Sequence, residues 1–216
     1  MEPVEKTAQP ASRRTQLERR AEAEQRLLIA ARQIVARNGW VGMTLSEVGE
    51  EAGYSRGLAT HHFGNKAGLL RALAGFVNTS FMALVADKAS QWQPGMDALK
   101  GFVGVYLVRT DGDWVNTRAL LALMSEAVTQ DSETAQILAE YNRSVQQHLA
   151  GYIRAGIDNG EIRANVDPLA GALLILGTLR GTMLQVLLDP TGVDLGALHE
   201  QLLAFIENAL ASVPAT

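Results

Sequence analysis

The sequence predicts an all-α protein built in two helical halves, and three observations carry that prediction. Apolar residues recur at spacings of three and four along nearly the whole chain, with no convincing period-two alternation to mark a strand. The starts and stops of these stripes carry cap and turn residues. Hydrophobic residues make up 47% of the 216 positions but aromatics only 6%, the composition of a protein rich in leucine and alanine.

Taken in order, residues 1–12 are polar, hold Pro3 and Pro10, and read as a disordered tail. From Arg13 to Arg37 seven arginines and three glutamates accompany a stripe of Leu27, Leu28, Ala31, Ile34 and Val35. This helix stops at Asn38-Gly39. Arg13, Arg14, Arg19 and Arg20 suit either a phosphate-seeking arm or a solvated face paired with glutamates. A short helix starts at Thr44, whose hydroxyl and the Glu47 carboxylate have capping-box spacing. Leu45, Val48, Gly49 and Ala52 form its inner face, and Gly53 stands where a left-handed residue ends a helix. Ser55 is placed to cap a second short helix from Ser55 to His62, anchored by Phe63. Asn65 is placed to cap a third, whose stripe of Leu69, Leu73, Phe76 and Leu84 runs to about Asp87. Two short helices around a glycine turn make a helix-turn-helix, which sends its second helix into a DNA major groove.

Beyond the break at 90–95, a helix from Met96 to Val108 turns Leu99, Phe102, Val103 and Tyr106 inward. Asp111-Gly112-Asp113 reads as a turn before a helix over Trp114–Val128. A long helix starts at Asp131 or Ser132 and ends near Asp158-Asn159-Gly160. Asp167-Pro168 is an N-cap with proline at the first helical position, and Asp189-Pro190-Thr191-Gly192 closes that helix. Asp194 caps the last one, with Leu195, Leu198, Leu202, Phe205, Ile206 and Ala209 in register. Leu169–Leu188 is the most apolar stretch, but Thr178, Arg180, Thr182 and Gln185 interrupt it. A membrane span needs about 20 mostly apolar residues, so this reads as a buried helix and no membrane partner is expected.

Charge divides the chain. Residues 1–66 carry ten Lys/Arg against eight Asp/Glu, and residues 67–216 carry nine against fifteen, within a net charge of −4. The more basic part holds the helix-turn-helix, as a phosphate-facing segment requires. With no cysteine, a disulfide framework and a thiolate metal site are excluded. No signal peptide is recognisable, so a cytoplasmic location is expected.

The stretch Thr44–Lys66 resembles the DNA-binding core of the TetR family of bacterial regulators. Thr44, Val48, Ala52, Gly53, Ser55, Gly57, His62, Phe63, Lys66, Leu69 and Leu70 match in the family's order and spacing. Two departures stand out: Thr60 occupies a position where relatives usually carry an aromatic, and Ala67-Gly68 stands where an acidic residue is usual. The resemblance extends more loosely over Gly160–Pro168 and Gln185–Pro190. It implies a helix-turn-helix DNA-binding domain over 13–88 and a ligand-binding and dimerisation domain over 89–216.

On the second short helix, Ser55, Arg56, Gly57, Thr60 and His61 are the candidates for contact with DNA. Arginine can bridge guanine O6 and N7, although Arg56 could instead hold a phosphate. Gly57 would let the backbone approach the duplex. The resemblance adds backbone contacts from Thr44, Tyr54, Thr60, His61 and Lys66. His61-His62 is a poor metal pair, because adjacent helical residues point about 100° apart and two ligands on one helix usually sit four apart; no metal or cofactor is expected. His62 is expected to pack beside Phe63 while His61 faces DNA.

In the second half Phe102, Tyr106, Trp114, Arg118, Met124, Tyr141 and His148, with Trp92, suit a mostly apolar effector pocket, or in the plainer reading an ordinary core. Ala170, Leu174, Gly177, Gly181, Leu184 and Leu188 share one helix face. The resemblance implies that this helix and the last, through Leu202, Phe205 and Ile206, pair with a second copy. No nucleophile, base and orienter fall in a catalytic pattern, so an enzyme is not expected. The expectation is a homodimeric repressor released from a palindromic DNA operator by a small, mostly apolar effector. The alternatives are a transcriptional activator, or a helical carrier or interaction protein with a vestigial helix-turn-helix.

Overall fold

A computed structural model describes residues 15–107, 114–129 and 133–212. Among these it places α1 (Gln16–Asn38), α2 (Leu45–Glu51), α3 (Leu58–Phe63), α4 (Lys66–Ala89), α5 (Met96–Leu107), α6 (Val115–Thr129), α7 (Glu133–Asp158), α8 (Pro168–Leu188) and α9 (Leu195–Leu210). The expected tail, Arg13 and Arg14, the Asp111-Gly112-Asp113 turn and the start at Asp131 or Ser132 lie outside the described residues. The sole β feature among the described residues is an isolated bridge between Ile162 and Ala211. It ties the end of α9 to the turn after α7.

Caps set the helix ends as the sequence indicates. Thr15 with Glu18 and Thr44 with Glu47 form complete capping boxes, and Asn65, Asp167 and Asp194 each accept amide hydrogens at their helix starts. Gly39 ends α1 at φ 77°, and Gly53 turns the chain after α2 at φ 78°, a conformation that costs glycine nothing. Two starts differ from expectation. The second short helix, α3, begins at Leu58 rather than Ser55, with Gly57 as a cap that offers no side-chain bond. Ser55 contributes its carbonyl to the Leu58 amide instead, because a turn at 56–57 intervenes before the helix can start. Trp114 precedes α6 with φ 56°, so it enters the helix from a left-handed backbone instead of lying within it.

Two hydrophobic clusters share α4. Its first half places Leu69, Leu70, Leu73 and Val77 among residues of α1, α2 and α3. Its second half places Phe81 and Val85 among α5, α7, α8 and α9. The first cluster also takes in Ala119 and Leu123 of α6 and Leu138 of α7. The helices α1–α4 are therefore packed directly on the second half of the chain.

By length and composition, α4 and α8 are apolar enough to cross a membrane. Both pack within the bundle, and α8 buries Ala172, Ile175, Leu176, Leu179, Met183 and Val186. Its opposite face leaves Leu169, Leu173, Leu174, Leu184 and Leu188 exposed, so the expected buried helix is buried on one side.

Candidate nucleic-acid interface and effector region

The approach of α2 to the loop before α3 is closer than any residue but glycine allows. A Cβ on Gly49 would lie 2.5 Å from the Ser55 carbonyl oxygen. The Gly49 carbonyl in turn accepts the Tyr54 amide at 2.8 Å. The turn that launches α3 is thus held on the back of α2. Tyr54, half-buried, packs on the first cluster with Leu58 and Phe63, while Ser55, Arg56, Gly57, Thr60 and His61 are exposed together. A Cβ on Gly57 would meet nothing within 4 Å, leaving that backbone open to an approaching ligand.

The charged candidates are engaged within the chain. Nε of Arg56 donates to Oε1 of Glu50 in an ion pair. That hydrogen bond and the carboxylate's charge raise the Arg56 pKa further. Nζ of Lys66 donates to the Val41 carbonyl at 2.9 Å and lies 5.0 Å above the Trp40 ring, a cation–π geometry. Thr44 is bound into its cap, its hydroxyl accepting the Glu47 amide at 3.2 Å and donating to Oε2 at 3.0 Å. His62 packs beside Phe63, ring centroids 6.0 Å apart, and burial lowers its pKa. His61 stands exposed beside it, as expected. Among the described residues, no cluster of His, Cys, Asp and Glu could hold a metal.

The seven residues expected to line an effector pocket divide among different surroundings. Phe102 is completely buried and Tyr106 nearly so. Both rings meet Phe81 edge to face, with centroids 5.2 and 5.8 Å apart. His148 tilts against Phe102 and hydrogen-bonds the Tyr152 hydroxyl through Nε2 at 2.9 Å. Burial lowers the His148 pKa and raises that of Tyr152. Trp114 and Tyr141 flank this cluster, whereas Met124 packs on the other one. Arg118 lines a cavity of about 560 Å³ facing Gln33 and Arg37 of α1. Tyr141 lines another of about 540 Å³ between α4 and α7, with Arg71, Asn78 and Glu140. The seven residues come from α5, α6, α7 and the turn before α6, and these elements are divided between the two hydrophobic clusters, so the seven do not share one cavity.

Of the residues expected at a dimer face, Ala170, Leu174, Gly177, Gly181, Leu184, Leu188 and Phe205 are exposed, Leu188 at 72% and Phe205 at 64%. Leu202 and Ile206 are not. They are buried in the second cluster, because α9 turns that side toward the bundle and Phe205 away from it. Between α8 and α9 an apolar groove of about 210 Å³ is lined by Leu174, Thr178, Phe205 and Ala209.

Three contributors were not singled out from the sequence. Glu50 meets Arg56 across a turn at a spacing of six, which no helical rule flags. Asn78 leaves Oδ1 buried without a hydrogen-bond partner; an amide between Val77 and Phe81 of an apolar stripe was the available signal. Asn116, 3% exposed, accepts from Arg32 across 84 positions, which no local pattern reveals.

Comparison with known proteins agrees with this architecture. Residues 27–73 match the family model of bacterial regulatory proteins of the tetR family, and residues 95–211, more than half the chain, match that of the BetI-type transcriptional repressor C-terminal domain. The fatty acid metabolism regulator protein of Bacillus subtilis (strain 168) is 22% identical over 186 residues, covering 85% of this chain and 93% of that protein. A TetR-family regulator from Rhodococcus sp. superposes with a TM-score of 0.80 at 23% identity, over 89% of this chain and all of the other. A regulator from Saccharomonospora viridis, solved in complex with choline, superposes with a TM-score of 0.75 at 23% identity over the same shares.

Proposed function

The chain belongs to the TetR family of bacterial transcriptional regulators and is a DNA-binding regulator, and on that premise we propose that it is a homodimeric repressor released from its operator by a small effector. The observation that carries this reading is the course of α4. It begins three residues after α3 ends and contributes to both hydrophobic clusters. A ligand that favours a displaced second half of α4 therefore displaces the recognition helix, shifting the population away from the DNA-competent state.

In this reading residues 13–88 bind DNA, and residues 89–216 bind effector and a second copy. Ser55, Arg56, Gly57, Thr60 and His61 face the duplex, with Thr44, Tyr54 and Lys66 on its backbone. The exposed positions 170, 174, 177, 181, 184 and 188 of α8 follow a 4-3-4-3-4 spacing, which is the seam of a helix pair. Gly177 and Gly181 at its middle would let a second copy of α8 come close. The two recognition helices would then read half-sites about 34–36 Å apart. For the effector, the aromatic cluster of Phe102, Tyr106, Tyr141 and His148 favours a mostly apolar molecule with one polar group. A DNA target implies a cytoplasmic location.

The reading is tested by titrating DNA from the protein's own promoter region at increasing salt. Affinity is expected to fall steeply, because phosphate contacts release counterions. Absent or salt-insensitive binding would overturn it, and apolar-ligand binding alone would favour a carrier, the reading that Thr60 supports. An activator would use the same interface, and an operator upstream of the promoter rather than overlapping it would indicate one.

A further inference from the structure

Helix α2 carries three carboxylates, and two of them have local work. Glu47 closes the capping box with Thr44. Glu51 pairs with Arg37 of α1 at 2.9 Å. Glu50 instead reaches across the turn to Arg56, which stands beside the recognition helix. The reach follows from Gly49, whose missing side chain lets the Ser55 carbonyl rest on α2. As a surface ion pair this contact contributes little to stability, since both side chains are well exposed. A carboxylate beside a DNA-facing surface also repels phosphates, so affinity alone does not account for it.

Its geometry supplies another role. A guanidinium has five N–H donors in a fixed plane. Donating Nε–H to Glu50 leaves the four donors of Nη1 and Nη2, whose outer edge matches guanine O6 and N7. We propose that Glu50 is a specificity-determining residue: it holds Arg56 by Nε and presents the Nη1/Nη2 edge to one guanine in each half-site. In water the pair is weak. In a major groove, where water is displaced, the same contact is stronger and fixes the guanidinium plane. Glu50 is a positioning residue that acts through Arg56, and the inference rests on the DNA-facing role proposed for Arg56.

The full-length protein would first select its preferred duplex from a randomised pool. Binding to that duplex, to versions with each guanine replaced in turn, and to unrelated duplex would then be measured. Arg56→Ala is expected to lose about tenfold discrimination at one guanine per half-site. Glu50→Ala should lose most of that discrimination at the same guanine, with binding to unrelated duplex equal or tighter because a negative charge is gone. Glu50→Gln keeps an acceptor and should retain more of it, and Glu50→Lys should lose it while steepening the salt dependence. The Arg56→Ala/Glu50→Ala double variant should lose no more than Arg56→Ala. Undiminished guanine discrimination in both Glu50→Ala and Glu50→Lys would overturn the proposal. Undiminished discrimination in Arg56→Ala would instead remove the reading of Arg56 on which it rests.

Discussion

Nη1 of Arg32 on α1 donates a 2.8 Å hydrogen bond to Oδ1 of Asn116 on α6, and the same guanidinium lies 5.6 Å above the Phe76 ring of α4. One side chain thereby ties α1 to the start of α6 and to α4. Asn116→Ala removes an acceptor from a half-buried cation and is expected to cost about 1–3 kcal/mol. Urea unfolding at constant m-value measures this. A double-mutant cycle with Arg32→Ala should show coupling, and strictly additive losses would dissolve the tie.

The closeness of α2 to the turn before α3 makes Gly49 and Gly57 unlike each other. Gly49→Ala would drive a Cβ against the Ser55 carbonyl, and a loss of about 1–3 kcal/mol is expected as the turn shifts, with operator affinity falling alongside. Gly57→Ala enters open space and should leave thermal stability nearly unchanged. If the backbone at Gly57 approaches DNA, that variant weakens binding alone. Equal melting temperatures for the two variants would contradict the close approach at Gly49.

Neighbouring residues of α9 should also respond differently. Leu202→Ala removes a buried side chain and is expected to cost about 2–5 kcal/mol of protomer stability. Phe205→Ser, with Leu188→Ser at the end of α8, removes exposed apolar surface and should spare the protomer; if these faces form the proposed dimer, sedimentation shifts from dimer toward monomer. Unchanged sedimentation for both together would place the dimer contact elsewhere.

Burial holds the His148 pKa below its ordinary 6.5, so the unfolded chain takes up a proton there more readily than the folded one. The stability from neutral His148 is complete above about pH 6.5 and is lost as pH falls through the folded-state pKa. Wild-type protein should therefore lose stability more steeply on acidification than His148→Gln. Denaturation midpoints at several pH values would show it, and parallel curves would mean that His148 does not contribute.

Much of the fold was legible because its determinants are local. A cap acts across three residues, so Thr44 with Glu47, Asn65, Asp167-Pro168 and Asp194 located helix starts without any tertiary information. The exception was Ser55, a good cap residue whose carbonyl was taken by a turn instead. The exposure of Ser55, Arg56, Gly57, Thr60 and His61 was legible from their local pattern, while the partners of Arg56 and Lys66 were not.

By itself the sequence determined helix number and order among the described residues, the helix-turn-helix and the two-part charge. Helical period and capping depend on neighbours within one turn. Only the tertiary structure decided that Leu202 and Ile206 face inward while Phe205 faces out, that the expected effector residues divide among separate surroundings, and that Arg32 meets Asn116 and Arg56 meets Glu50. Such choices depend on how helices rotate and dock against one another, and an apolar stripe broad enough to face two neighbours does not record which side each will cover.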